Sequence, residues 1–232
     1  MRLGIMQPYF FPYIGYFQLI AAVDVFIVYD NVKYTKKGWI NRNRMLLNGK
    51  DAMFSLPLKK QSDFHDVRER ELAEDFKRDK LLNQIRGAYR RAPYFTQIFP
   101  LIEQIVRFEE RNLFWFIHHS ILAICERLGL KTEIRVASDI AIDHAFKGQD
   151  KVLALCQVMG ADTCINAIGG MELYTREEFH TRGIELKFIK SQLFDYPQFG
   201  GEFVPWLSIV DVMMFNSPEQ VGVNVRERYD LV

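Results

Sequence analysis

"RLGIMQPYFFPYIGYFQLIAAVDVFIVYD" (residues 2–30) is the stretch whose reading decides the fold. Arg2–Met6 is a short apolar run, suited to a buried strand. Pro8 and Pro12 forbid regular structure just after it. Pro12 suits the start of a helix through Tyr13–Ala22, because its missing N–H would have no partner there anyway. Within that helix Ile14, Phe17, Gln18 and Ala21 recur at helical spacing. Val23–Asp30 is a second buried run, β-branched and aromatic, ending on an acid. Two short apolar strands joined by a helix make a βαβ unit, which is parallel and right-handed.

Working outward, residues 31–50 hold six cations and no acids. Asn48–Gly49 within them is a hairpin signal, so a β-hairpin is expected near 44–58. Residues 59–80 are dense in both charges and read as a solvated surface segment. Three helical patterns follow. Phe76–Arg91 stops before Pro93. Tyr94–Glu109 is broken by Pro100 or starts there. Asn112–Leu128 ends at Gly129. Alternation then returns: a strand at Glu133–Ala137, a helix at Gln149–Met159, a strand at Thr163–Asn166, a helix near Glu172–Arg182 and a strand at Ile184–Ile189. An apolar helix, Ser208–Phe215, closes the pattern. The expectation is one α/β domain over residues 1–232. Its sheet is mainly parallel and Rossmann-like with flanking helices, and a helical insertion spans about 76–128.

The 232-residue chain is 49% hydrophobic with a formal net charge of +1. That composition supports a large core and excludes a global bias toward nucleic acid. No run is long enough to span a membrane, and the N-terminus enters a strand without a leader pattern. Cys125, Cys156 and Cys164 form no CxxC pair and fit buried thiols in a reducing cytoplasm. The five histidines show no metal-ligand spacing with them, so no metal is expected. Nothing names a cofactor, and an oligomer is left open.

In an open parallel sheet, ligands sit beyond the carboxyl ends of the strands. The loop from Gln7 to Tyr13 leaves the first strand at that edge and feeds a helix N-terminus, where free N–H groups attract anions. Gly15 removes a side chain and permits close approach. The plainer reading is aromatic core packing, but Tyr9, Phe10, Phe11, Tyr13, Tyr16 and Phe17 cannot all point one way. The cationic segment follows the second strand at the same edge. Read as a strand, it puts Asn41 and Asn43 beside Trp39 on one face and Arg42 and Arg44 on the other. Guanidiniums suit a phosphate or carboxylate. Lys33 and Lys37 precede them; a solvated basic edge strand is the alternative. The candidate ligand is therefore a small anionic molecule bound by Gln7, Tyr13, Gly15, Tyr16, Lys33, Lys37, Asn41, Arg42, Asn43, Arg44 and Gln198. Asp30, Tyr196 or Asp211 would move the proton. Ser208 is read as an N-cap. Asp211 is either its capping-box partner or a buried acid paired with Arg42 or Arg44.

Two resemblances follow from these residues. "GIMQPYFFPYIGYFQLIAAVD" looks like the opening of the nucleotidyltransferase superfamily, with Tyr13 and Tyr16 where that motif has His-x-Gly-His, and Asp24 before the second strand. Tyr carries no positive charge, so the resemblance implies a nucleotide-binding architecture more than adenylyl transfer. The segments "QPYFFPYIGYFQLI" (7–20), "DNVKYTKKGWINRNRM" (30–45), "YRRAPYF" (89–95), "YPQF" (196–199) and "FVPWLSIVDVM" (203–213) resemble the WbqC-like family of bacterial proteins. That resemblance implies an association with surface-polysaccharide (O-antigen) and modified-sugar biosynthesis. The resulting expectation is a group-transfer enzyme acting on a nucleotide-linked, phosphorylated or carboxylated small molecule, an amino sugar among them. The alternatives are a binding or scaffold protein of the same pathway and a degenerate nucleotidyltransferase.

Overall fold

The first unit forms as its sequence dictates: β1 (Arg2–Met6), α1 (Ile14–Ala21) and β2 (Val25–Val28). The two strands pair in parallel from Leu3↔Val25 to Met6↔Val28. This computed structural model describes residues 1–62 and 64–232. Its six-stranded sheet adds β5 (Glu133–Val136), β6 (Thr163–Ala167), β7 (Glu185–Ser191) and β8 (Tyr229–Leu231), in the order β5-β2-β1-β6-β7-β8. All neighbours are parallel except β7 and β8.

Between β2 and its neighbour β5 the chain makes a long excursion. The hairpin β3 (Arg42–Leu47) and β4 (Lys50–Ser55) comes first, then α2 (Arg78–Tyr89), α3 (Phe95–Arg107) and α4 (Leu113–Arg127). Asn48 and Gly49 both have positive φ, 52° and 74°, the type I′ geometry that Asn-Gly favours. Gly129 takes φ 63° after α4, as a helix stop requires. Pro100 neither breaks α3 nor starts it. The proline is exposed, as is Thr96, whose carbonyl is denied its helical N–H partner by the ring. The buried stripe Ile98, Phe99, Ile102, Ile105 and Val106 outweighs that loss.

Sheet alternation splits the core in two. Phe26, Val28, Ile165 and Ile189 face α1 to α4, α7 (Ile209–Phe215) and α8 (Pro218–Glu227). Leu3, Ile5, Val25 and Ile27 face α5 (Gly148–Met159) and α6 (Arg176–His180). The helix expected at 172–182 is shorter: residues 168–173 form a 3-10 turn before α6 begins. The segment 59–80, Asp63 lying outside the described residues, is not wholly solvated. Val67, Leu72 and Arg70 are buried in it, Arg70 over the Tyr34 ring at 4.6 Å.

Candidate functional site

The aromatic loop after β1 divides its side chains. Phe10 and Phe11 are fully buried, and Tyr16 sits in core packing against Phe17 and Phe26. The Tyr16 hydroxyl donates to the Gln7 carbonyl at 3.0 Å. Tyr9 and Tyr13 point the other way. They line a cavity of about 190 Å³ together with Trp39, Asn43, Arg44 and Trp206.

Three distant segments are joined to make that cavity. Phe10 N–H donates to the Ile40 carbonyl (2.9 Å), Ser208 N–H to the Arg44 carbonyl (2.9 Å) and Ile209 N–H to the Pro12 carbonyl (2.8 Å). The Ser208 hydroxyl donates to the Phe11 carbonyl at 2.7 Å and accepts from Val210 N–H, so Ser208 does cap α7. Two bulky residues at these junctions hold left-handed backbone: Phe11 at φ 44° and Trp206 at φ 58°. Such strain in a non-glycine persists only where the surroundings impose it. Trp206 and Trp39 are nonetheless 43% and 40% exposed, so burial of the indoles does not account for their placement.

Arg44 links the two tryptophan segments. Its Nη2 donates to the Trp206 carbonyl (3.1 Å), its Nη1 to Asp51 (3.3 Å), and its guanidinium lies 5.8 Å from the Trp39 ring centroid. Its Nε is buried without a hydrogen-bond partner. Asn43, also buried, donates weakly to the Phe10 carbonyl at 3.4 Å. Tyr13 shares a hydrogen bond with Ser191, and its ring lies edge-on to Trp206. Burial raises the pKa of both Tyr9 and Tyr13, so each phenol stays protonated and can donate. Gly15 is required by this wall itself. A Cβ there would lie 2.4 Å from both Ser191 Oγ and Tyr13 Cε2.

The other sequence candidates lie elsewhere. Asn41 accepts from the Tyr34 hydroxyl (2.8 Å) and donates to the Leu56 carbonyl (2.7 Å). Arg42 Nε donates to the Gly38 carbonyl within its own loop. Residues 38–41 bend, so Trp39 and Asn41 lie off the strand; β3 begins at Arg42 and pairs Asn43 with Phe54 and Arg44 with Met53, and both Asn43 and Arg44 reach the cavity lining. Lys33 lies over the Phe64 ring at 4.6 Å, and Lys37 is exposed; neither lines the cavity. Asp30 ends β2 at the ligand edge, accepting from Ser138 N–H (3.0 Å) with Arg68 at 4.0 Å.

Asp211 makes neither a capping box nor an arginine pair. It is fully buried and accepts three hydrogen bonds of 2.8 Å, from the Tyr89 and Tyr196 hydroxyls and from Gln198 Nε2. Burial raises its pKa, while those three donors pull the other way. Gln198 in turn bonds both backbone groups of Val204, just before Trp206. Tyr196, Gln198 and Asp211 thus form a strut behind the cavity wall. Tyr89, their fourth member, heads the segment "YRRAPYF" at the end of α2, where nothing local points to Asp211. Trp206 was quoted in the sequence but not singled out. Its place after Pro205 inside "FVPWLSIVDVM" was the cue the sequence offered.

A model of the WbqC-like protein family matches residues 7–223. The chain belongs to the WbqC-like family. A relative in Mycobacterium tuberculosis (strain ATCC 25618 / H37Rv), named "Uncharacterized protein Rv1507c", is 28% identical over 218 residues, covering 93% of each chain. No solved structure matches. The nucleotidyltransferase resemblance gains no support from these relatives. Its geometry also differs in this WbqC-like chain: Tyr16 is sealed in packing, and Asp24 accepts from Arg2 N–H (2.8 Å) at the amino edge, opposite the ligand edge. Among the described residues no helix is long and apolar enough to cross a membrane.

Proposed function

We propose that this WbqC-like protein is a group-transfer enzyme acting on a phosphorylated, carboxylated or nucleotide-linked cyclic small molecule, an amino sugar foremost, in surface-polysaccharide biosynthesis. One observation carries this reading: four aromatic rings converge with Arg44 and Asn43 on one cavity, with no carboxylate in its lining. A water occupies roughly 30 Å³, so the cavity suits one six-membered ring. Aromatic faces take the C–H face of a sugar or the plane of a base. The Arg44 guanidinium supplies the positive charge that an anionic substituent needs, and Asn43 and the two phenols fix polar groups around the ring. Asp30, a proton carrier expected from the sequence, lies outside the cavity lining and is held by Ser138 N–H, so it is given no role at the ligand. Tyr196 and Asp211 are positioning residues, acting through Gln198 on the loop that carries Trp206.

Tryptophan fluorescence tests it, since two of the three tryptophans line the cavity. Sugar phosphates, uronic acids and nucleotide sugars are titrated into wild type and Arg44→Ala. Saturable quenching is expected with at least one of these classes, weakened tenfold or more in the folded variant. Unchanged affinity in Arg44→Ala removes the reading. A second reading, a binding protein of the same pathway, is favoured by the absence of carboxylate or imidazole from the lining. Turnover of the bound sugar with an acyl or amino donor separates the two.

A further inference from the structure

The central sheet ends at β5, which pairs with β2 on its inner side and, among the described residues, with no strand on its outer side. Glu133 N–H donates to the Asp24 carbonyl at 3.2 Å, so Glu133 turns its backbone groups toward β2. Successive residues of a strand alternate in this respect. Arg135 therefore faces β2 as well, and Ile134 between them turns its N–H and carbonyl outward. That outer edge opens into a groove of about 420 Å³. Ile134, Arg135 and Val136 form its floor, with His118 of α4 on one face of the sheet and Val158 and Met159 of α5 on the other.

The walls of the groove are apolar where they meet solvent. His118 shares one stripe of α4 with Trp115 and Leu122, at spacings of three and four residues, and these two are 46% and 41% exposed. Val158, at the end of α5, is 57% exposed. One exposed apolar side chain is ordinary, but three beside an unpaired strand edge make a surface fitted to another chain. The strand's own sequence selects which chain. In an antiparallel pair about a two-fold axis through Ile134, the two copies of Ile134 stand opposite each other and exchange both hydrogen bonds, as their outward groups require. The same register sets Glu133 opposite Arg135 of the second copy, and Arg135 opposite its Glu133. Those are the positions without hydrogen bonds, where the Cα atoms approach to about 4.5 Å and side chains lie closest. An axis through Glu133 or Arg135 fails, because their backbone groups are committed to β2. Within one copy the two side chains bond each other, Arg135 Nε to Glu133 at 2.6 Å, and both are exposed. They are therefore free to exchange partners across the axis.

We propose that the outer edge of β5 is a homodimer interface, in which a second copy of this chain joins antiparallel at Ile134 and the sheet runs on through both copies. A specific dimer buries about 800 Å² per partner, more than a four-residue strand provides. Trp115 and Leu122 on one face and Val158 on the other extend the contact. None of the residues lining the aromatic cavity belongs to β5, α4 or α5, so the interface stands apart from that cavity and its ligand.

Sedimentation velocity over a concentration series tests it on wild type, Glu133→Arg, Arg135→Glu and Ile134→Pro, with circular dichroism to check folding. Wild type is expected to dimerise. Glu133→Arg and Arg135→Glu each set like charges across the seam and are expected to weaken the dimer tenfold or more. Mixed in equal amounts, the two variants are expected to form a heterodimer, since one presents two cations to the two anions of the other. Ile134→Pro removes the outward N–H and keeps the bonds to β2, so a monomer is expected; if it does not fold, the mixing experiment decides. A wild type that stays monomeric at every concentration would overturn the interface and leave the groove to an extended segment of another protein. A dimer of unchanged affinity in both charge variants, or charge variants that fail to associate on mixing, would overturn it equally.

Discussion

Burying the Asp211 carboxylate is costly, and its three donors offset the cost only in part, because its pKa stays raised in the fold. Between the ordinary carboxyl value of about 3.9 and the raised one, the folded chain holds a proton that the unfolded chain has released. The contribution of Asp211 to stability is therefore greatest in acid and declines as pH rises through that window. Asp211→Asn lacks the titration. Denaturation midpoints measured from pH 3 to 7 should show wild type losing ground to the variant as pH rises. The variant itself should be weaker by about 1–3 kcal/mol at low pH, since its amide meets the Tyr89 hydroxyl, which already accepts from Leu46 N–H. A flat difference across the range would show that the carboxylate is not desolvated. The sequence exposed part of this. An acid inside "FVPWLSIVDVM" announces that it needs partners, but its partners lie 13, 15 and 122 residues away and no local pattern links them. The positive φ of Trp206 was equally hidden, since nothing in "VPWLS" marks a left-handed residue.

Elements with a strong local rule were legible before the structure. The Asn-Gly hairpin, the βαβ opening and the stop at Gly129 each follow from two or three residues acting through backbone geometry. α8 was missed although Ser217-Pro218 supplies an N-cap and a first-turn proline, with Ser217 accepting from Gln220 N–H at 3.1 Å. α3 shows the opposite error, in which a breaker was given too much weight against a continuous buried stripe. Pro100→Ala should restore the hydrogen bond to Thr96. An interior proline costs about 3 kcal/mol, and its rigidity in the unfolded chain returns about 1 kcal/mol. A net gain of about 1–2 kcal/mol corresponds to a melting point higher by roughly 3–6 °C, readable by calorimetry. A lower melting point would mean that the ring makes packing contacts worth more than the bond.

At the scale of the molecule, a mainly parallel sheet was implied by the alternation of strands and helices, whereas its order β5-β2-β1-β6-β7-β8 was not, and neither was the site, because it is assembled across the excursion that separates β2 from β5. That excursion places Trp39, Asn43 and Arg44 against the loop after β1, and it delays the pairing of Val25 with Glu133. Closing so long a loop brings its entropic cost before any contact repays it. Val136→Ala, at a nearly buried position on β5, should therefore speed unfolding while leaving the folding rate unchanged in stopped-flow chevrons. An equal slowing of folding would put β5 in the early nucleus. During synthesis the same topology has a further consequence. A ribosome must add about a hundred residues beyond β2 before the strand that covers its outer side exists, and throughout that interval the nascent chain offers an uncovered row of amides and carbonyls to any passing strand.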